Sequence, residues 1–231
     1  MGRFNAEYLD GHRPRPQAEG LGPGGLRSWV EQLTQGFDAP PETRRDPLFA
    51  RAVPDLEAVR RVRNDRGALL DALDAVPRTF VHRDAWPANV LVRRGAGRSE
   101  SMVAIDWALA GEGALGEDVT GIVGPSLWFF LVGMDEATKV EAAVLEGYID
   151  GLHDGGWTGD EAQVRFGYAA SLALRFGLLI PTWAGWLAED EMGGWCERKF
   201  ARPRSEIADG WAQVLTFILG RADEASRFAL G

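Results

Sequence analysis

The hydrophobic period of the sequence changes at Pro77, and this change limits the folds open to the chain. From Pro54 to Val76 apolar residues recur every three or four positions, which predicts one long amphipathic helix. The runs RTFVH, NVLVR and SMVAIDW that follow are short, rich in β-forming residues and separated by turns, which predicts a small β patch over 78–107. The helical period returns from Asp118 onward. We therefore expect an α+β fold that is mainly helical, with its β patch in mid-chain.

Other elements are predicted around this patch. The residues 11–25 form a Pro/Gly-rich connector, and the segment LRSWVEQLTQGF after it has helical spacing. The polar segment 38–47 is predicted to be a loop. Beyond the patch, helices are predicted near 118–133, 135–152, 159–188 and 204–228.

Composition excludes some classes of protein. A chain of 231 residues with 45% hydrophobic residues can bury a sizeable core, as one globular unit or two small ones. The net charge of −9 argues against a nucleic-acid partner and is compatible with cationic small molecules or simply with solubility. The single cysteine, Cys196, cannot form an internal disulfide, and no apolar run follows Met1. The chain is therefore expected to be cytoplasmic.

Two apolar segments need weighing as membrane spans. Residues 119–134 are uncharged but short, and residues 168–188 contain Arg175 and Pro181. Both are predicted to be buried core helices, and no membrane partner is expected.

The residues that carry chemistry lie between the strands of the β patch. The stretch FVHRDAWPANVLV, residues 80–92, contains the pattern H-R-D-x-x-x-x-N, which we call the HRD loop (residues 82–89). Asp106 follows at the end of a strand, 22 positions after Asp84. An aspartate on such a loop can accept the proton of an attacking hydroxyl, while Asn89 and Asp106 offer the oxygen ligands that Mg²⁺ requires. Taken singly, these are also ordinary turn, cap or strand-end residues; the three at this spacing predict phosphoryl transfer.

The HRD loop followed by IDW in place of D-F-G, with no A-P-E and no room for a long activation segment, resembles the aminoglycoside phosphotransferase and choline kinase-like branch of the protein-kinase fold. The resemblance implies Asp84 as catalytic base, Asn89 and Asp106 as Mg²⁺ ligands, and His82 as a structural residue that holds the loop. It also implies that Asp118, in GALGEDV, supports the structure by capping the next helix. The implied cofactors are Mg²⁺ and ATP or another nucleoside triphosphate, and the implied substrate is a small molecule with a hydroxyl.

The resemblance also implies a domain organisation. The segment GRFNAEYL resembles the linker helix after the nucleotide lobe, so 1–25 is expected to enter a C-terminal lobe at 26–231. Within this lobe, 26–117 would be the core with the HRD loop and metal-binding strand, and 118–231 a helical substrate subdomain. Five acidic residues of that subdomain are placed to meet a cationic amino sugar or amine, or else form a solvated face: Asp150, Asp154, Glu189, Asp190 and Glu191.

The features of an N-terminal kinase lobe are not recognisable. No lysine precedes Lys139, and GLGPGG at 20–25 satisfies G-x-G-x-x-G without a preceding strand and with Pro23 inside it. The N-terminal lobe is therefore expected to be absent or vestigial. Whether the chain is a fragment of a longer reading frame or a natural one-lobed relative stays open.

Two functions remain. The first is a Mg²⁺- and ATP-dependent phosphotransferase that acts on a small-molecule hydroxyl and is weak or inactive as this chain alone. The second is a catalytically silent binding or dimerising module, whose exposed face is covered by a second copy or by the missing lobe. A metallohydrolase built on His82 and Asp84 is disfavoured, because His12 and His153 lie in a linker and at a helix end. Substrate identity and oligomeric state stay open.

Overall fold

The computed structural model describes residues 1–9, 13–14, 25–35, 41–94 and 100–230. The chain forms two compact units, each assembled from three separate stretches. The first contains Met1–Gly25, Leu73–Leu127 and Leu131–Tyr168, and the second contains Leu26–Ala72, Trp128–Phe130 and Ala169–Gly231. Most of the connector at 11–25, with GLGPGG, lies outside the described residues. The domain boundaries expected from the family resemblance stay a prediction.

The fold class is α+β and mainly helical, as predicted. The described residues form eleven α-helices, which are, in chain order, α1 (Gly2–Ala6), α2 (Gly25–Gln35), α3 (Pro41–Arg45), α4 (Pro47–Ala52), α5 (Leu56–Asp74), α6 (Glu117–Trp128), α7 (Ala137–Asp154), α8 (Glu161–Leu172), α9 (Leu178–Ala188), α10 (Asp190–Phe200) and α11 (Arg204–Leu230). A π-helical turn, Ala173–Gly177, joins α8 to α9, so the helix predicted over 159–188 is continuous.

The β patch consists of two antiparallel pairs in the first unit. Strand β1 (Arg78–Val81) pairs with β4 (Gly111–Ala114), and β2 (Val90–Arg94) pairs with β3 (Glu100–Ala104). The three predicted strands are confirmed. The fourth has the sequence GEGA, which is poor in β-forming residues, and it becomes a strand through its pairing with β1.

The predicted loop at 38–47 is wrong where the structure describes it. Residues 41–45 form α3, and Asp46 begins α4 by accepting hydrogen bonds from the amides of Leu48 and Phe49, at 2.8 and 3.4 Å. Pro47 at the first helical position is a start signal that a search for apolar periodicity does not detect. Helix α10 was not predicted either, because the run DEMGGWCERKF is largely polar.

Of the two apolar segments weighed as membrane spans, the first belongs to core helix α6 only as far as Trp128 and continues as a turn, whereas the second is helical throughout. In the part of the chain that the structure describes, no helix is long and apolar enough to cross a membrane. The second of these segments forms much of the second unit's core, where Trp183 packs edge-on against Trp128 at 4.9 Å between ring centroids. Trp211 is fully buried beside them.

Helix α1 lies very close to α7 in the first unit. A Cβ atom added at Gly151 of α7 would come within 2.9 Å of the Arg3 amide nitrogen, and Gly2 has even less room against the α7 main chain. This contact places Asn5 of α1 in the interior. Its side-chain amide donates to the carbonyl oxygen of Phe80 in β1 at 2.7 Å.

Candidate active site

The main chain of the HRD loop is held by one buried carboxylate. The amides of His82 and Arg83 both donate to Oδ1 of Asp118 at 2.8 Å, and Asn5 Nδ2 donates to its Oδ2 at 3.0 Å. Asp118 is fully buried in the first turn of α6. Its hydrogen bonds therefore go across to the loop and to α1, and the expected role as a cap of its own helix is wrong. Burial raises the pKa of this carboxyl group, although the loop amides and Asn5 oppose the shift.

His82 uses both ring nitrogens to hold main chain. Its Nε2 lies 2.9 Å from the carbonyl oxygen of Ile105, which can only accept, so Nε2 carries the proton. Nδ1 then accepts from the Asp84 amide at 3.2 Å. The structural role implied for His82 stays a prediction, and these two hydrogen bonds are the contacts through which it would act. They leave neither nitrogen for a metal ion, which disfavours the metallohydrolase alternative.

Asp84 and Asn89 face each other across the HRD loop. Asn89 lies in a single 3₁₀ turn, Pro87–Asn89, and its Nδ2 donates to both Oδ2 and the carbonyl oxygen of Asp84 at 2.9 Å. Asp84 is half-buried and Asn89 is buried. Because the amide nitrogen points at Asp84, the amide oxygen of Asn89 remains available as a ligand.

Asp106 lies two residues beyond β3 with its backbone in the left-handed region, at φ 59°. The preceding residue, Ile105, donates its amide to the carbonyl oxygen of Asn89 at 2.9 Å. The residue directly before Asp106 is therefore hydrogen-bonded to the HRD loop. The Asp106 carboxylate is exposed and makes no hydrogen bond or ion pair with the described residues. Trp107 packs against Phe80 and His82, at the edge of a small core cluster that also contains Tyr8.

These residues fit Mg²⁺. The amide oxygen of Asn89 and the carboxylate of Asp106 are hard oxygen donors that make no hydrogen bond with the described residues, and they lie on two segments linked by the Ile105–Asn89 hydrogen bond. Among the described residues no group of three or more His, Cys, Asp or Glu side chains could hold a metal ion. A site with two protein oxygens suits Mg²⁺ bound mainly through waters and substrate phosphates. Asn89 and Asp106 would hold it there.

The five acidic residues proposed for substrate binding fall into two sets. Asp150 and Asp154 are exposed on α7 in the first unit, and Glu189, Asp190 and Glu191 are exposed around the start of α10 in the second. Of these, Asp190 lies 3.9 Å from Arg204. Their role stays a prediction.

Sequence reasoning missed a buried ion pair that joins the HRD loop to α6. Arg83 Nε donates to Glu117 Oε1 at 2.7 Å, and both side chains are almost fully buried. The two residues are 34 positions apart, so local spacing does not reveal the pair. The available signal was a glutamate directly before Asp118, in a segment with glycines on both sides.

A mainly helical domain with small antiparallel sheets and an Asp–Asn loop beside a second aspartate is consistent with an α+β, kinase-like fold. The chain belongs to the phosphotransferase enzyme family, whose model matches residues 12–165 and therefore well over half of the sequence. The match confirms the resemblance to the aminoglycoside phosphotransferase and choline kinase-like proteins. No curated protein matches the chain.

Proposed function

We propose that this member of the phosphotransferase family transfers the γ-phosphate of ATP to a hydroxyl group of a small molecule, in a reaction that requires Mg²⁺. The observation that supports the proposal best is the Asn89 side chain. Its nitrogen is hydrogen-bonded to the Asp84 carboxylate at 2.9 Å, while its oxygen remains available for a metal ion. One residue thus connects the group that would accept a proton with the group that would bind the metal.

Each residue has a separate task in this proposal. The Asp84 carboxylate accepts the proton of the attacking hydroxyl, and Asn89 fixes the orientation of that carboxylate. His82 and Asp118 hold the loop that carries it, through the bonds described above. When bound, Mg²⁺ would neutralise charge on the transferred phosphates. The most suitable substrate is an alcohol that also carries a positive charge, such as an amino sugar or choline-like amine, because the chain is acidic and its exposed carboxylates would attract it.

The first prediction concerns Asp84. Incubated with γ-labelled ATP, Mg²⁺ and a panel of amino sugars and amines, the chain should label a hydroxyl compound. We expect Asp84→Asn to reduce this transfer about 10²–10⁴-fold, because an amide cannot accept the proton. The matched control is Asp65→Asn, which removes a half-buried charge from α5 in the second unit. Equal losses in the two variants would contradict the role of Asp84.

We further propose that the isolated chain transfers phosphate slowly. Its two lysines are occupied elsewhere: Lys139 pairs with Glu136 at 2.9 Å, and Lys199 lies over the ring of Phe129 at 5.6 Å. Neither takes the place of the phosphate-pairing lysine that the family resemblance leads us to expect. Positioning is worth about 7–11 kcal/mol of barrier in well-oriented reactions, so a poorly held γ-phosphate reacts slowly. Rapid turnover by the chain alone would contradict this part of the proposal.

The alternative, a catalytically silent binding or dimerising module, is favoured by the β2–β3 hairpin. This hairpin exposes large apolar side chains, with 58% of Val92 and 66% of Met102 accessible to solvent, and Leu91, Val103 and Ile105 are also exposed. Val92 and Met102 are paired across the two strands and share one face of the hairpin, and exposed apolar patches mark interaction surfaces. Binding of an amine without any consumption of ATP, in the experiment above, would favour this alternative.

A further inference from the structure

The segment that carries Asp106 is held at both ends by the two residues that precede Asp84. We call residues 105–110 the Asp106 loop. At its start, the Ile105 carbonyl oxygen accepts from His82 Nε2 at 2.9 Å. Near its end, the Leu109 carbonyl oxygen accepts from Arg83 Nη1 at 3.1 Å. The two candidate active-site aspartates therefore belong to segments that are joined through the side chains of His82 and Arg83.

The guanidinium group of Arg83 makes more contacts than this one. Its Nη2 donates to the carbonyl oxygen of Glu112 in β4, and its Nε donates to Glu117 at 2.7 Å. Glu117 is fixed in turn, because its second carboxylate oxygen accepts from the Ala114 amide at 3.1 Å. The Arg83 and Glu117 side chains are only 10% and 7% exposed, so each charge depends on the other for compensation.

The local backbone is shaped to accept this pair. Arg83 has φ 63°, a conformation that costs free energy in a non-glycine residue and persists only where the surroundings enforce it. A Cβ atom at Gly111 would come within 2.9 Å of Arg83 Nη1, and one at Gly113 would collide with the Glu117 carboxylate. The two glycines of β4 thus leave the space that the ion pair occupies.

We propose that Arg83, held by Glu117, is a positioning residue that sets the separation of Asp84 and Asp106. The inference rests on the proposed function, since it gives those aspartates their roles. Arginine suits the task because its rigid fork donates to several acceptors in different directions at once, here a carboxylate and two carbonyl oxygens. A lysine keeps the charge opposite Glu117 but cannot reach all three. Arg83→Lys should therefore release the Asp106 loop.

The experiment compares the full chain with Arg83→Lys, Glu117→Gln and a matched control, Arg78→Lys. Arg78 is the first residue of β1, outside the HRD loop, and it donates to Glu112 Oε1 at 3.3 Å and to Asp74 Oδ1 at 3.4 Å. Amide hydrogen exchange is followed by mass spectrometry over residues 105–111, and binding of Mn²⁺ in the presence of ATP is followed by electron paramagnetic resonance. We expect Arg83→Lys to speed exchange in the Asp106 loop severalfold and to weaken Mn²⁺ binding about tenfold, as loss of a residue that orients a metal ligand does. Arg78→Lys should change neither.

The exchange measurement decides the inference. Unchanged exchange over 105–111 in a folded Arg83→Lys chain would overturn it, and so would an equal rise throughout the chain, because that would make Arg83 a general stabiliser. If Arg83→Lys does not fold, Glu117→Gln carries the test, since it keeps the arginine and the shape of its partner. Failure of the proposed function has a different signature: Mn²⁺ binding by the unaltered chain would then be absent or unaffected by Asp106→Asn.

Discussion

At the scale of the residue, the fully buried Asp118 combines two opposing effects. Its carboxylate accepts hydrogen bonds from His82, Arg83 and Asn5, yet burial still raises its pKa above the ordinary value of 3.8.

The spacing of the HRD loop predicted Asp84, Asn89 and Asp106 as a group. It could not reveal that Asn5 supports the loop through Asp118, because the two residues are 113 positions apart.

We expect Asp118 to make the free energy of unfolding depend on pH. Between the unfolded pKa and the raised folded pKa, the native state binds more protons than the unfolded state. The stability that Asp118 contributes is therefore fully present below pH 3.8 and is lost as the pH rises through its folded pKa. Urea unfolding followed by circular dichroism should show that the stability of the chain relative to Asp118→Asn declines over this window. A constant difference would contradict the raised pKa.

Asp209 provides a control, because its pKa is shifted in the opposite direction to that of Asp118. Its pKa is lowered by the hydrogen bond from Arg51, with which it forms an exposed ion pair. The stability that it contributes is present above pH 3.8 and is lost as the pH falls through its folded pKa. The comparison with Asp209→Asn should therefore slope in the other direction.

At the scale of the element, periodicity predicted the long helices well and short elements poorly. Helix α5 lies within the predicted range because its apolar stripe is long, whereas α3 and α10 have too few apolar residues to show one. Strand β4 depends on β1 as a partner, and such a pairing is not visible in four residues of sequence. The sequence did not reveal the close contact of α1 with α7 either, because only the folded chain shows at which glycines a side chain would collide with a neighbouring helix.

The contact of α1 with α7 can be tested with two glycines of the same helix. Gly151→Ala places a methyl group 2.9 Å from the Arg3 amide nitrogen, so α1 must move, and we expect a loss of about 1–3 kcal/mol in the free energy of unfolding. Gly147→Ala is the control, because no described atom beyond the adjacent residues and backbone of α7 lies within 4 Å of the added Cβ. It should stabilise the helix by up to ~1 kcal/mol. Chemical denaturation of the two variants measures both effects, and equal effects would contradict the packing argument.

At the scale of the whole molecule, the β2–β3 hairpin leads us to propose self-association. Val92 and Met102 are directly opposite each other in the hairpin and are the most exposed of its apolar side chains. In the isolated chain, a second copy could cover them. Neither side chain belongs to the candidate active site, so self-association alone would not decide between the phosphotransferase and the catalytically silent module.

Sedimentation velocity over a range of concentrations tests the proposal. We expect a dimer that dissociates on dilution, and we expect the double variant Val92→Thr, Met102→Glu to shift the chain to monomer by placing a charge on the patch. Leu131→Glu is the matched control, because Leu131 is 56% exposed and lies outside the hairpin. Monomers at every concentration, with or without the substitutions, would rule out self-association through this surface.

The alternation of the chain between its two units has a consequence for how such a protein can evolve. Neither unit is a continuous block of sequence, since the second begins after Gly25, is interrupted at Leu73 and resumes twice thereafter. Recombination between genes exchanges continuous blocks, so no single crossover transfers one unit intact into a relative. An exchanged block would carry parts of both units, and each part would have to pack against the rest of its unit in the recipient.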